Sequence, residues 1–264
     1  MILLLFILLS AAGPVSAQAP SAEAKLQDVR RHLNSLRTGF EKIPANPDDP
    51  EWIKKKLAYM REVDQYVRFQ WMDNVEGRTG LDGEQKGIFN KKVGEMMAEL
   101  DPQNTAELKK LLDARNGRWF TISEVGKETA TSAWLLVQHA DQNPAFQEEV
   151  LKKMNALPPG EVDPKNIAYL DDRVAVKAGR PQLYGTQFHC VDGKPQPQGA
   201  DAMDLPETDR RRAELGLAPR DPAATTALWR ERVALLDELA QLQRGGIELA
   251  EQGRTLDAAL VVAY

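Results

Sequence analysis

The sequence predicts a mainly α-helical protein: a compact multi-helix domain carrying one small β-hairpin at about residues 182–198, followed by a C-terminal antiparallel helical pair. Three observations predict it. Apolar residues recur at three- and four-residue spacing through most of the chain, which lines them up on one face of a helix. Asp48 or Asp49 before Pro50, Asn143 before Pro144 and Asp163 before Pro164 each join a capping side chain to a proline suited to the first helical turn. The exception is "QLYGTQFHCVDGKPQP", where alternating and aromatic residues surround Asp192-Gly193, a strong hairpin signal.

The first residues read as an export signal. Residues 2–9 are almost wholly aliphatic, Gly13-Pro14 breaks the run, and Val15-Ser16-Ala17 offers small residues to a signal peptidase. A signal peptide at 1–17 and a periplasmic or secreted location are expected. The apolar run is too short to span a bilayer stably and no later stretch approaches membrane length, so no membrane span is expected after cleavage. The 34 basic and 39 acidic residues give a net charge of −5, with no basic surplus to attract nucleic acid. Cys190 is the single cysteine, which excludes an intramolecular disulfide and leaves stability to packing.

The elements follow in order. Residues 18–47 hold an N-terminal helix and linker, with Leu26, Val29, Leu33, Leu36 and Phe40 on its apolar side. The domain proper spans 48–220. Its first helix runs to about Asp73 on a stripe of Ile53, Leu57, Met60, Val67 and Trp71, with Asp64 standing on that stripe where an apolar residue belongs. After the loop "GRTGLDG" come two helices, Ile88 to Leu100 and "NTAELKKLLDARNG" ending at Gly117. Thr121 and Glu124 form a capping box for one helix reaching into "AWLLVQHADQNPAFQ", and Asn143-Pro144 turns the chain into the next, through Phe146, Val150, Leu151 and Met154. A helix from Pro164 buries Ile167, Leu170 and Val174; the hairpin follows, then a short helix over "ETDRRRAELGL". Beyond Pro219 and Pro222, residues 221–264 repeat leucine every seven positions, but Gly246 and Gly253 spoil the second seam of a coiled coil, so Gly245-Gly246 is expected to turn one helix back on another.

Several stretches taken together are familiar. "VDQYVR", "GRWFTISEVG", "AWLLVQHAD", "AYLDDRVAVKAGRPQLYGTQ" and "DRRRAELGL" occur in this order and resemble an uncharacterised family, the domain of unknown function number 6624. The resemblance covers roughly residues 52–220. It implies a shared helical fold and a common polar constellation, and it brings no activity.

Chemistry-bearing residues concentrate in those stretches. Asp141 falls on the apolar side of its helical wheel and at a helix C-terminus, where the dipole disfavours an anion. It is therefore expected to be buried and bonded to amides of the next helix, to Arg68 or Arg173, or to both. His139 points away from Asp141 on the same wheel, and with few histidines in the chain neither a metal nor another cofactor is expected. Asp171, Asp172 and Arg173 read as a helix-surface ion pair. There is no G-x-S-x-G, no phosphate-binding glycine loop and no H-E-x-x-H. The leading expectation is an exported helical binding or interaction module, with Asp64, Gln65, Arg68, Gln138, Tyr184 and Gln187 orienting a small polar ligand or peptide. The alternative is an acid–base hydrolase that uses His139 with Asp141 or Asp172, and with Arg173 beside them. A third reading is a purely structural envelope protein.

Overall fold

A computed structural model describes residues 21–191, 194–199 and 204–220. The expected signal peptide, the Asp192-Gly193 turn and the C-terminal helical pair lie outside the described residues. The chain divides into two compact units, Met1–Val162 and Asp163–Tyr264. The described part is mainly helical, with a single two-stranded sheet among the described residues, and no described helix is long and apolar enough to cross a membrane.

In the first unit, α1 (Ala22–Glu41) is capped by Ser21, whose side chain accepts from the Ala24 amide, and α2 (Pro50–Val75) by Asp49, which accepts from Glu51. Together with α3 (Gly83–Ala114) they enclose a core of Leu26, Val29, Val67, Leu81, Phe89 and Val93. The stripe of α2 buries Ile53, Leu57, Met60 and Val67 as the spacing requires, and Asp64 on that stripe is fully buried. Trp71 departs from the expectation, being 39% exposed. The buried position of that last stretch is taken by Asn74. Its amide donates to Lys86 O and Asn90 Oδ1 and its carbonyl accepts from Thr79 Oγ1, so a polar network closes the end of the helix.

The two helices expected on either side of "DPQN" are one, with Pro102 inside it. A proline within a helix lacks the N–H that the carbonyl four residues earlier would accept. Here that carbonyl belongs to Ala98, and Gln142 Nε2 donates to it at 3.3 Å. A side chain from the α5–α6 junction thus supplies the missing donor, and Thr105, Leu108, Leu111 and Leu112 carry the buried face onward. The helix closes in a turn at Gly117 (φ +72°), whose amide reaches back to Leu112 O at 2.8 Å.

The single helix expected from Thr121 is two, α4 (Ile122–Val125) and α5 (Lys127–Gln138), divided at Gly126 with φ +83°. The capping box does not form, because its carboxylate is engaged elsewhere: Glu124 pairs with Arg115, and Thr121 makes no side-chain cap. Glu161 takes the capping role instead, accepting from Ser123 N at 3.1 Å and Ser123 Oγ at 2.7 Å. Those bonds hold its carboxyl below the ordinary glutamate value.

The junction into α6 (Pro144–Asn155) corrects the expectation for Asp141. Asn143 caps α6 by accepting from Phe146 N at 3.2 Å, and Phe146, Val150, Leu151 and Met154 are buried. Helix α5, however, ends at Gln138, so a wheel extended to Asp141 has no physical meaning, and Asp141 is exposed. The residue that clasps the two helices is Gln147, fully buried, whose Nε2 donates to Val137 O at 3.0 Å and Gln138 O at 3.3 Å and approaches Asp141 Oδ1 at 3.4 Å. We expect Gln147→Leu to cost about 1–3 kcal/mol, because it removes the donor to Gln138 O and one of the donors to Val137 O at the end of α5. Asp141→Ala, at an exposed position, is expected to cost less. Urea melts of both variants check the order; an Asp141 variant the less stable of the two would reverse the assignment.

In the second unit, Asp163 caps α7 (Pro164–Lys177) through Lys165 N. Leu170 and Val174 are buried as expected, whereas Ile167 is only half-buried. The hairpin is shorter than its expected span: β1 (Phe188–Val191) pairs antiparallel with β2 (Lys194–Pro197), in the register Phe188 to Pro197. Residues 182–187 form a loop, because their amides bond to side chains rather than to a strand. Gln182 accepts from Gln187 N and donates to Gln187 O and Gln198 O. Helix α8 (Leu205–Glu214) starts at Asp204, which accepts from Glu207 N, and its buried Arg212 donates to Ala218 O and Tyr184 O.

Candidate functional site

Asp64, Gln65 and Arg68 lie within a little over one turn of α2, and the buried face of that helix brings Asp64 inward. A buried carboxylate needs donors. It has three. His139, the C-cap of α5, places Nδ1 at 2.9 Å from Asp64 Oδ2 and 3.0 Å from Oδ1. Gln65 Nε2 donates at 2.8 Å, and Arg68 Nε lies 3.3 Å from Oδ1. Arg68 extends the cluster, with Nη2 donating to Asp101 Oδ1 of α3 at 2.5 Å and Nη1 3.3 Å from the Met97 sulfur.

Burial on its own would raise the Asp64 carboxyl. The His139 hydrogen bond and the electrostatic pull of His139 and Arg68, with the Gln65 amide, outweigh it and hold Asp64 below the ordinary aspartate value. Asp101 goes the other way: burial raises it, Arg68 only partly compensates, and the Asp64 charge adds to the rise.

The ring nitrogen Nδ1 also lies 2.9 Å from Arg68 Nε, and it cannot accept from Arg68 while donating to Asp64. The ionised, buried Asp64 is an acceptor only, which selects the tautomer with the proton on Nδ1. Arg68 then serves Asp64 through its charge, Nε lying 3.3 Å from Oδ1, and Nε2 of the ring carries the lone pair. His139 keeps 18% of its side chain exposed while Asp64 keeps none, so the imidazole is the solvent-facing member of a buried pair.

Beside the cluster is a cleft of about 270 Å³, lined by Asp101, Thr105 and Lys109 from α3 and by Ala140, Gln142 and Asn143 from the α5–α6 junction, with Pro102 and Ala106. Asp101 belongs to both, bonded to Arg68 on one oxygen and facing the cleft. A larger hollow of about 540 Å³ lies between α1, α2 and α3; of its charged residues, Arg30 pairs with Glu23, Arg37 with Glu41 and Lys92 with Glu95. Among the described residues no group of three or more His, Cys, Asp or Glu is placed to hold a metal ion.

The model of the family of unknown function DUF6624 matches residues 50–226. The chain belongs to this family. No curated protein and no solved structure matches it. The DUF6624 span contains the whole Asp64–Arg68–Asp101–His139 cluster and the cleft, and α1 precedes it.

Within the DUF6624 span the other residues singled out from sequence have different surroundings. Gln138 is buried with its Nε2 lacking a hydrogen-bond partner. Asp172, in the second unit, is not a surface ion-pair residue: it is fully buried and accepts from Leu183 N (2.7 Å), Tyr184 N (3.0 Å), Thr186 N (2.8 Å) and Thr186 Oγ1 (2.9 Å). Four donors saturate a carboxylate, so Asp172 holds a loop and has no lone pair left for proton transfer. Gln187 spends its amide on Tyr169 O and Thr186 Oγ1, and the Tyr184 backbone is bonded to Asp172 and Arg212, which makes both part of that loop. Arg173 is half-buried beside them. Asp101 was absent from the sequence-based candidates because "ELDPQN" reads as a helix end. The available signal was Arg68: a basic residue one turn from a buried acid requires further acceptors.

Proposed function

We propose that the first unit is an exported acid–base site acting on a small polar ligand, with His139 as the proton-transferring group and Asp64 as the residue that fixes its tautomer. The observation that carries this reading is a fully buried carboxylate on Nδ1 of a partly exposed imidazole. Asp64 orients the ring and stabilises the imidazolium formed when Nε2 takes a proton from water or a substrate hydroxyl. Arg68 holds Asp64 ionised and fixes Asp101 at the edge of the cleft. The aliphatic run at residues 2–9 followed by Val15-Ser16-Ala17 supports export.

The second reading is a binding module without chemistry. The cleft favours it, since Gln142, Asn143 and Lys109 offer hydrogen bonds there with no reactive group among them. The two readings separate by experiment. The full chain is screened for hydrolysis of ester, amide and phosphoester panels alongside His139→Gln, which retains one hydrogen bond to Asp64. Acid–base catalysis predicts turnover that falls by about 100-fold or more in the variant, and ¹⁵N spectra in which the His139 ring carries its proton on Nδ1. Turnover unchanged in His139→Gln, or a proton on Nε2, would overturn the acid–base reading. Saturable binding without turnover would leave the second.

A further inference from the structure

The cleft beside Asp101 has more definition than a polar hollow. Its two charged side chains are both open. Asp101 gives Oδ1 to Arg68, and Oδ2 has no donor among the described residues. Lys109, also half-buried, forms no ion pair among the described residues; its ammonium rests over the Phe146 ring at 5.0 Å from the centroid. Both stand on α3, eight positions apart, which at 1.5 Å per residue separates them by about 12 Å along the helix.

The opposite wall presents two amides, each with one end committed. Gln142 spends Nε2 on Ala98 O, which leaves its carbonyl oxygen as an acceptor. Asn143 spends Oδ1 on Phe146 N, which leaves its NH₂ as a donor. One free acceptor and one free donor, side by side, complement the N–H and C=O of a peptide unit. The cleft lining thus offers an anion, a cation and an amide pair.

We propose that the cleft binds a short zwitterionic peptide, its ammonium on Asp101, its peptide unit between Gln142 and Asn143, and its carboxylate on Lys109. This rests on the reading above in taking the cleft as the ligand's seat, and it supplies the ligand class. The separation of the poles, less the reach of an aspartate and a lysine side chain, suits a ligand of about two residues at some 3.5 Å each. The cleft volume of about 270 Å³ lies just under the usual 300–1,000 Å³ of ligand pockets, which favours a small guest. Asp101 also links the guest to Arg68 and so to His139.

The test is isothermal titration of the full chain with three probes: glycylglycine, N-acetylglycylglycine, which lacks the cation, and glycylglycinamide, which lacks the anion. Glycylglycine is expected to bind, and each capped form to bind about tenfold or more weakly, the equivalent of one lost ion pair. Lys109→Met should remove the difference between glycylglycine and its amide, and Asp101→Asn that between glycylglycine and its acetylated form. Lys109 takes no part in the fold's ion pairs, so its variant remains informative if Asp101→Asn unfolds. Equal affinity for all three probes, or no binding by any, overturns the proposal. Should glycylglycine bind as described while His139→Gln leaves turnover unchanged, the peptide assignment stands and the acid–base reading falls. Should the probes fail while turnover on other substrates depends on His139, the reverse holds.

Discussion

Asp172→Ala is expected to destabilise the second unit by about 3–5 kcal/mol, because three backbone amides and one hydroxyl lose their common acceptor in a place water does not reach. The carboxylate is the centre around which residues 183–186 turn, with Gly185 at φ +61° allowing the bend. Asp172→Asn keeps one acceptor oxygen but sets an NH₂ against donors, so it is expected to recover only part of the loss. Asp171 is the internal control. Burial and the adjacent Asp172 charge raise its carboxyl, so its ionised form is disfavoured in the fold and Asp171→Asn is expected to be neutral or slightly stabilising. Hydrogen exchange at Leu183, Tyr184 and Thr186, with denaturant melts, reads the effect. Protection at those amides unchanged in Asp172→Ala would refute the role.

The second large effect is at Asp64. Replacing it with alanine leaves Arg68, His139 and Gln65 directed at an empty buried position, and about 3–5 kcal/mol is expected, as for other buried pairs with one partner removed. Asp64→Asn should cost less, and on the acid–base reading proposed above it should abolish turnover, since a neutral amide does not select the Nδ1-protonated ring. The sign with pH follows from its lowered carboxyl. The unfolded chain takes up the proton more readily, at about pH 3.9, so the stability from Asp64 is complete above that value and is lost as pH falls through the lower folded one. Asp101, raised in the fold, acts in the opposite sense just above that window. Acid melts of the parent should therefore be steeper below about pH 4 than those of Asp64→Asn; identical acid limbs would mean that Asp64 is not held ionised.

Much of the architecture follows from local sequence. Asp49-Pro50, Asn143-Pro144 and Asp163-Pro164 start helices because a side-chain acceptor and a preset φ act within four residues, independent of the rest of the chain. The stripe from Ile53 to Val67 likewise fixes which face of α2 is inside, and with it that Asp64 is buried and must have partners.

Where two acceptors or donors compete, local sequence leaves the outcome open. The capping box of Thr121 and Glu124 is sound locally, but Arg115 claims Glu124 and Glu161 caps in its place. Pro102 ends a helix by local rules, yet α3 continues because Gln142 satisfies the carbonyl of Ala98. The wheel that buried Asp141 assumed a helix that stops three residues earlier, and the clasp is Gln147.

The sequence by itself determined the mainly helical class, the helix starts at Pro50, Pro144 and Pro164 and the inward face that carries Asp64, since each depends on residues within a turn or two. Tertiary structure alone decided that Asp64 meets His139, 75 positions away, that Arg68 meets Asp101, and that Asp172 gathers a loop rather than sharing a surface ion pair. The physical reason is that a buried charge takes whichever partners the packing of helices brings within about 3 Å, and that distance is set by the assembly of elements, not by spacing along any one of them.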